Sequence, residues 1–189
     1  MKYQLESGWL AGARRVPSPH CDQRPADTPI ELLVIHCISL PPGQYGGSHI
    51  DDFFSGALDV DADPYFEGIA GLRVSAHLLI DRHGRVTQYV PLDKRAWHAG
   101  QSSFCGRSDC NDFSVGIELE GLDSDSYTDA QYQALAEVTA AIMLAYPGIT
   151  SDNITGHSDI APDRKLDPGP GFDWGRYHTE LSALLSDTA

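Results

Sequence analysis

Residues 30–39 read IELLVIHCIS, a dense run of aliphatic side chains that contains one histidine, His36. A continuous apolar run of this length is typical of a strand that is buried on both faces of a sheet. Pro41, Pro42 and Gly43 follow the run and end the pattern. The stretch therefore predicts a buried central strand, around which the rest of the molecule is arranged.

The hydrophobic pattern on both sides of this strand predicts further elements. Apolar and polar side chains alternate in residues 113–120, and Thr128 with Gln131 forms a capping box ahead of an apolar helix face. A four-residue turn that ends in Gly84 joins two neighbouring strands as a hairpin. We expect helices at 48–58 (with Ser48 as N-cap), at 129–146 and from Asp173 onwards, and strands at 73–80, 85–90, 113–120 and 153–156.

The length of the chain and the order of these elements define the expected fold. A chain of 189 residues is within the size of one domain, and neither an internal repeat nor a linker divides it. Strands and helices that alternate, with one hairpin among them, favour a mixed sheet with helices on both faces. The sequence predicts an α/β fold: a single domain over residues 1–189, with a mixed central β-sheet flanked by helices on both faces.

The composition excludes several classes of function. The chain has 13 Lys and Arg against 27 Asp and Glu, a net charge of −14 at pH 7. This charge argues against a nucleic-acid-binding protein and against adsorption on anionic membranes or bacterial walls. The longest apolar stretch is far shorter than the ~20 residues that span a bilayer, and no secretion signal is evident at the N-terminus. We expect a monomeric cytoplasmic protein that is either a soluble enzyme or a binding module.

Four cysteines stand at positions 21, 37, 105 and 110, and none forms a C-x-x-C pair. Disulfides are rare in cytoplasmic proteins, so we expect four free thiols. A bridge between Cys105 and Cys110 is the alternative.

Three segments carry polar residues that a purely structural role explains poorly. His36 is either a hydrogen-bonded core residue or a ligand, and Glu118 is a carboxylate on a strand that is otherwise central, where an unpaired charge is costly. The loop at 156–169 (GHSDIAPDRKLDPG) brings a histidine, aspartates and two cations between prolines, and it is either a solvated loop or part of a site.

These residue types together match a hydrolytic zinc site. Two histidines and a carboxylate are a common catalytic zinc set, a glutamate can act as the general base for water, and a lysine can stabilise an oxyanion. No H-E-x-x-H helix is present, which excludes the familiar metalloprotease arrangement. Spacing alone does not select the ligands among the eight histidines; His77 and His98 are as eligible as the others.

Several segments resemble the AmpD-type zinc amidases, the cytoplasmic 1,6-anhydro-N-acetylmuramyl-L-alanine amidases of peptidoglycan recycling. The resemblance covers about residues 8–177, and its motifs follow one another in order and with similar spacing. The family fold is a mixed sheet flanked by helices, shared with phage amidases and peptidoglycan-recognition proteins. The matching segments are GWLAGARRVPSPHCDQRP, LLVIHCISLPPGQYGG, DPYFEGIAGLRVSAHLLIDRHGRVTQYVPLDKRAWHAG, CNDFSVGIELEG, YTDAQY and GHSDIAPDRKLDPGPGFDW.

The resemblance implies roles for individual residues. His36 in VIHCIS, His157 in GHSDIAP and Asp167 in KLDPG resemble the ligands of one zinc ion per chain. Glu118, the first glutamate of GIELEG, resembles the catalytic glutamate, in preference to Glu120. Lys165 resembles the catalytic lysine of the final loop.

Other matching positions imply how substrate is bound. Tyr65, Arg73 and Trp97 lie in segments that resemble the substrate-lining parts of the family, with a plain core role for Trp97 and a solvated strand end for Arg73 as the alternatives. Gly116 would leave room for substrate beside Glu118. His77 and His98 match family motifs, and we expect them to support the site without binding the metal. Arg73, Arg107, Arg164 and Lys165 are candidates for a cationic pocket that offsets the acidic chain.

The resemblance implies an N-acetylmuramoyl-L-alanine amidase that cleaves a soluble anhydro-muropeptide. A non-catalytic peptidoglycan-recognition module is the first alternative, but such modules usually lack a ligand, and all three positions are filled here. A wall-degrading autolysin or phage-type enzyme is the second, but those often have cysteine as the third ligand, where this chain has Asp167. The chain departs from the family pattern at Cys37, where asparagine is common.

Overall fold

The computed structural model describes residues 2–186. The strands are β1 (Gln4–Glu6), β2 (Trp9–Ala11), β3 (Arg14–Arg15), β4 (Cys21–Gln23), β5 (Leu32–Ile38), β6 (Leu78–Ile80), β7 (Val86–Gln88), β8 (Lys94–Ala96), β9 (Ser103–Phe104), β10 (Arg107–Ser108), β11 (Ser114–Glu120) and β12 (Ile154–Gly156). The α-helices are α1 (His49–Ser55), α2 (Asp129–Ala145), α3 (His157–Ile160) and α4 (Trp174–Ser186). Short 3₁₀ helices occupy Val60–Ala62, Pro64–Ile69, Cys110–Asp112 and Ser151–Asn153.

The centre of the molecule is a six-stranded mixed sheet in the order β12-β5-β11-β6-β7-β3. Strands β12, β5, β11 and β6 run parallel to one another, and β6 and β7 form an antiparallel hairpin. The two longest strands, β5 and β11, pair along their whole length, which places Ser114 opposite Leu32 and Glu120 opposite Ile38. The expected buried central strand is therefore confirmed as β5.

One face of the sheet packs against the two long helices. Side chains from β5 and β11, among them Leu33, Ile35 and Ile117, form one cluster with α2 and with Tyr177 and Leu181 of α4. Helix α2 begins as expected, because Thr128 Oγ1 accepts from Gln131 N and the Gln131 side chain accepts from Thr128 N. Burial of this apolar face supplies most of the driving force for folding.

The opposite face is covered by α1 and its surroundings. Ile50, Phe53 and Phe54 of α1 pack with Leu79 of β6 and with Tyr89 in a second apolar cluster. Helices therefore flank the sheet on both faces, as the sequence predicts. The part of this face nearest the carboxyl ends of β5 and β11 is not covered by α1, and it carries the polar residues of the candidate site.

The exposed pair β9–β10 forms a small hairpin that is closed at its base. Asp109 N donates to Ser102 O at 3.0 Å, and Cys110 N donates to the Ser102 hydroxyl oxygen at 3.2 Å. Asn111 follows this base directly and lies in a 3₁₀ helix beside the candidate site. The hairpin therefore leaves the body of the protein at Ser102 and returns to it at Cys110.

Some sequence expectations require correction. The strand expected at 73–80 is regular only at Leu78–Ile80, because the backbone before it bonds to two different segments, from Ser75 N to Trp97 O and from His77 N to Gly116 O. Ser48 precedes α1 as expected, but its hydroxyl donates to the Asp52 carboxylate and does not cap the helix backbone. The loop expected at 156–169 contains the short helix α3.

All four cysteines are free, as predicted: Cys105 is exposed, Cys110 is buried, and Cys21 and Cys37 are half-buried. None of the helices within residues 2–186 has the length and apolarity that a membrane span requires.

Candidate metal centre and active site

The pairing of β5 with β11 places two polar side chains next to each other. His36 and Glu118 are register partners on these parallel strands. Leu33, Ile35, Ile117 and their neighbours point toward α2 and α4. Because side chains alternate along a strand, His36 and Glu118 both point to the other face. Strand register alone therefore brings an imidazole and a carboxylate together.

The third strand of this group, β12, delivers the second histidine. Strand β12 pairs with β5 through Gly156, which stands opposite Ile35, and His157 follows immediately as the first residue of α3. The loop then returns, and Ser158 N donates to Asp167 O at 2.9 Å. This backbone bond holds Asp167 beside the histidine ten positions before it.

His36, His157 and Asp167 converge on one point at the floor of a cavity. The Nδ1 atoms of the two histidines lie 2.9 Å apart, and Asp167 Oδ2 lies 3.1 Å from His36 Nδ1 and 3.0 Å from His157 Nδ1. Both imidazoles are buried. Two imidazole nitrogens and one carboxylate oxygen this close together are a donor set for a metal site with three protein ligands and an open position.

The protonation of these residues fits a metal cation. His157 Nε2 lies 3.1 Å from Ala99 O, and because a carbonyl only accepts, the His157 proton is on Nε2 and a lone pair is on Nδ1. Burial lowers the pKa of His36 to about 4. Burial raises the pKa of Asp167, but the close approach of its Oδ2 to the imidazoles of His157 and His36 outweighs burial and holds that pKa well below its usual range. Two imidazole lone pairs and a carboxylate are a donor set that zinc accepts.

Glu118 is a buried carboxylate with a free acceptor atom. Its Oε2 has no hydrogen-bond partner among the described residues. Burial, and next the nearby negative charge of Asp167, raise the pKa of Glu118 well above its usual value, while the positive charge of Lys165 opposes that rise. A carboxylate with a raised pKa in a cavity is typical of a general acid or base.

The neighbouring carboxylate, Glu120, is occupied by the backbone. One of its oxygens accepts from Gly46 N and the other accepts from Arg82 N. Glu120 therefore ties the 41–47 loop to the β6–β7 hairpin. The structure thus separates two glutamates that share one strand face: Glu118 faces the cavity, and Glu120 is held in a structural contact.

A cavity of about 490 Å³ opens above these residues. Tyr65, Trp97 and Lys165 line it together with the three candidate ligands and Glu118. Arg73 does not line it; this side chain lies in an adjoining smaller cavity beside His20. The structure therefore brings Tyr65 and Trp97 to the site but does not bring Arg73, although its neighbours Leu72 and Val74 line the cavity.

The expected cationic pocket is smaller than predicted. Arg164 and Lys165 line the cavity, but Arg107 is exposed, pairs with Glu31 at 3.1 Å and lies over the Phe113 ring. Arg107 belongs to the β9–β10 hairpin and does not line the cavity. Lys165 is the cation whose charge reaches both Glu118 and His36.

The room at Gly116 does not serve substrate, contrary to expectation. A Cβ atom at this position would lie 2.5 Å from His98 Cγ, so the imidazole of His98 fills the space above the strand. His77 lies on the same side, accepts from Gly116 N through Nδ1 at 3.0 Å, and has its Nε2 3.0 Å from Lys94 O. Gly116 is therefore required by a histidine that packs against the backbone.

The segment at His98 and Ala99 contacts both candidate histidine ligands; the sequence predicted a supporting role for His98 but none for Ala99. His98 Nδ1 lies 2.9 Å from His36 Nε2, and Ala99 O accepts from His157 Nε2. Asn111 Oδ1 in turn accepts from the backbone N–H groups of both residues, at 3.0 and 2.8 Å. The matching segment CNDFSVGIELEG contains Asn111, but the sequence assigns it no role, because that role depends on a contact that only the fold creates.

Comparison with known proteins identifies the family. The family model described as N-acetylmuramoyl-L-alanine amidase matches residues 26–170, a range that contains all five predicted catalytic and ligand positions. The chain belongs to the N-acetylmuramoyl-L-alanine amidase family. As an amidase of this family it is a hydrolase, and the resemblance stated from its motifs is confirmed.

Individual relatives are similar along nearly the whole amidase. The 1,6-anhydro-N-acetylmuramyl-L-alanine amidase AmpD of Citrobacter freundii is 64% identical over 92% of this chain and 92% of its own. The crystal structure of a selenomethionine derivative of AmpD, 63% identical, superposes with a TM-score of 0.91 over 94% of this chain and 98% of that one. The structure of AmiD of Escherichia coli, in complex with anhydro-N-acetylmuramic acid-L-Ala-D-γ-Glu-L-Lys, is 31% identical. It superposes with a TM-score of 0.60 over 94% of this chain and 65% of that one.

Proposed function

We propose that this amidase is zinc-dependent and hydrolyses the amide bond between (1,6-anhydro-)N-acetylmuramic acid and L-alanine of soluble muropeptides, in cytoplasmic peptidoglycan recycling. The observation that carries the proposal is the convergence of His36, His157 and Asp167 beside Glu118 at the floor of one cavity. The substrate class follows from the names of the AmpD relatives and from the muropeptide bound to AmiD.

The proposed ligands of one zinc ion are His36 Nδ1, His157 Nδ1 and Asp167 Oδ2. When bound, zinc supplies a Lewis acid that polarises the amide carbonyl and activates water. The remaining steps belong to side chains of the chain itself. The three proposed ligands line the cavity, so the substrate would approach them from the cavity.

Glu118 is the proposed proton carrier. As the carboxylate it accepts a proton from the attacking water through Oε2, the atom that has no partner among the described residues. Its raised pKa makes the protonated form accessible, so Glu118 then delivers this proton to the alanine nitrogen as the C–N bond breaks. The products are the muramic acid carboxylate and the free amino group of the stem peptide.

Lys165 is the proposed stabiliser of the negative oxygen that develops on the attacked carbonyl. Its half-buried side chain lines the cavity, and its charge acts on both Glu118 and His36. A cation placed before the reaction stabilises the transition state without reorganisation. Tyr65 and Trp97 present aromatic surface on the cavity wall, which suits the sugar and the lactyl group of the substrate.

The proposal also includes a single amidase domain over residues 1–189 and a monomer that needs neither nucleic acid nor membrane. The net charge of −14 supports a soluble substrate in preference to a whole anionic wall. Within the cavity, Lys165 and Arg164 offset this charge locally.

The test compares two substrates and two metal states. Protein stripped by a chelator and protein reloaded with zinc are each incubated with an anhydro-muropeptide and with intact sacculi, and mass spectrometry measures the released stem peptide. We expect release from the soluble muropeptide that zinc restores, and little release from sacculi. Comparable release from sacculi would indicate a wall-degrading enzyme, and binding of muropeptide without release would indicate a recognition module; either result contradicts the proposal.

A further inference from the structure

His98 is a half-buried histidine that the proposed reaction does not use. Its Nδ1 lies 2.9 Å from His36 Nε2, and its Nε2 lies 3.1 Å from the hydroxyl oxygen of Ser114. The rings of His36 and His98 meet edge to face, with centroids 4.9 Å apart. His98 therefore stands between a candidate metal ligand and a fully buried serine of β11.

The position of this ring is determined by its surroundings. Gly116 lies beneath it, and any side chain there would collide with the imidazole. From behind, Asn111 Oδ1 accepts from the backbone N–H of His98. These contacts orient the ring along the line from His36 to Ser114.

The hydrogen-bond chain can have only two polarities when both rings are neutral. In the first, His36 Nε2–H donates to His98 Nδ1, and His98 Nε2–H donates to the Ser114 hydroxyl oxygen. In the second, the serine donates to His98 Nε2 and His98 Nδ1–H donates to His36 Nε2, which moves the His36 proton to Nδ1. Only the first polarity leaves a lone pair on His36 Nδ1, the atom that faces His157 and Asp167.

His157 does not need such a partner, because the Ala99 carbonyl already determines its tautomer. We propose that His98 is a positioning residue that keeps the proton of His36 on Nε2, so that Nδ1 presents a lone pair to the metal. This inference rests on the metal ligation proposed above. Partners of this kind are worth roughly 10–100-fold in metal affinity.

Two substitutions of His98 separate positioning from packing. His98→Leu fills most of the ring's space but removes the acceptor, whereas His98→Asn places an amide oxygen close to the position of Nδ1. We expect His98→Leu to weaken zinc binding by roughly 10–100-fold and His98→Asn to retain most of the affinity. Competition with a chromophoric chelator measures the dissociation constant, and His83→Leu, on the exposed hairpin turn, is the matched control that leaves it unchanged.

A measurement on the unsubstituted protein makes the test independent of folding in the variants. In zinc-loaded protein with ¹⁵N-labelled histidine, NMR should show the proton of both His36 and His98 on Nε2. His77 is the internal reference, because Gly116 N and Lys94 O fix its proton on Nε2.

The outcomes distinguish this inference from the function on which it rests. A protein that binds no zinc overturns both. Zinc binding by His98→Leu as tight as that of the unsubstituted protein, or a proton on His98 Nδ1 in the zinc-loaded form, overturns the positioning role alone. So does equal weakening in His98→Leu and His98→Asn with lowered melting temperatures of both metal-free variants, which would show that the ring acts through packing.

Discussion

Glu118 stands directly opposite His36 in the parallel pairing of β11 with β5, so the proposed proton carrier and a proposed metal ligand are neighbours in the sheet. Backbone hydrogen bonds of the two longest strands fix this pair. Loops contribute the remaining groups, but these two belong to the most rigid part of the molecule. The core strands therefore hold these two side chains in fixed positions, which favours the precise placement that general acid–base chemistry needs.

Substitution of Asp167 should remove the metal. Asp167→Ala leaves two imidazoles and no anionic ligand, so we expect zinc content to fall from about one per chain to a small fraction. Elemental analysis after gel filtration measures it. Asp163→Ala, an exposed aspartate in the same loop, is the matched control; loss of zinc in Asp163→Ala and not in Asp167→Ala would move the third ligand.

Substitution of the two glutamates of β11 should affect different properties, the rate of hydrolysis for Glu118 and the stability of the fold for Glu120. Glu118→Gln should slow hydrolysis by roughly 10²–10⁴ and leave zinc bound, because it removes the proton carrier. Glu120→Gln keeps only one of two acceptors for Gly46 N and Arg82 N, so it should lower the free energy of unfolding by about 1–3 kcal/mol with a smaller effect on rate. Steady-state rates and denaturant unfolding separate the two, and the reverse pattern would reassign the proton carrier to Glu120.

Glu118 should also make stability depend on pH. Burial and the charge of Asp167 raise the folded-state pKa of Glu118 above its ordinary 4.5, so the folded state keeps a proton that the unfolded chain releases. The stability that this proton supplies is complete below that ordinary value and is lost as the pH rises through the folded pKa. Metal-free Glu118→Gln should therefore be more stable than the unsubstituted protein at neutral pH, with a difference that shrinks toward acid pH. Urea titrations across this range test it, and a difference independent of pH would refute it.

Lys165→Ala should depress kcat and kcat/KM together, by roughly 10²–10³, while KM changes little. Because the charge of Lys165 lowers the pKa of Glu118, its removal should also move the acid limb of the pH–rate profile to higher pH. Lys165→Arg, which keeps the charge, should retain the position of that limb. Zinc content is measured in parallel, and a zinc-replete Lys165→Ala with unchanged kcat would eliminate the oxyanion role.

The thiols should differ in reactivity according to burial. Cys105 is exposed, whereas burial raises the pKa of Cys37 to about 12 and also raises the pKa of Cys110. Since the thiolate is the reactive form, iodoacetamide should modify Cys105 first in the native protein. Denatured, unreduced protein should titrate four thiols. Two thiols would instead indicate a bridge between Cys105 and Cys110.

The sequence predicted the parts of this molecule that local patterns encode. The apolar run of β5, the alternation of β11 and the capping box of α2 are each visible within a few residues. The short strands β1 to β4 were not predicted, because two or three residues carry no periodic signal and such strands exist only through their partners. The late start of β6 at Leu78 was also not predicted, because the backbone before it bonds to two other segments.

In the candidate site too, local motifs predicted some residues, whereas contacts that depend on the fold could not be predicted. Motif resemblance selected His36, His157, Asp167 and Glu118, and the structure brings these four into one cavity. Spacing could not exclude His98, which lies within hydrogen-bond distance of His36 but on its far ring nitrogen. Exposed cations were the least predictable part, because a long side chain on a loop takes its direction from the loop. Arg73 and Arg107 illustrate this.

The closed base of the β9–β10 hairpin has a consequence for how this chain tolerates change in length. Ser102, Asp109 and Cys110 join the hairpin to the body, so its exposed turn at 105–106 can be lengthened or exchanged without moving what lies beyond the base. An insertion or substitution at Asn111, which follows Cys110, should not be tolerated in this way, since the Asn111 amide oxygen aligns the backbone of His98 and Ala99. An insertion at the hairpin turn should leave zinc binding unchanged, whereas the same insertion beside Asn111 should disturb the metal centre.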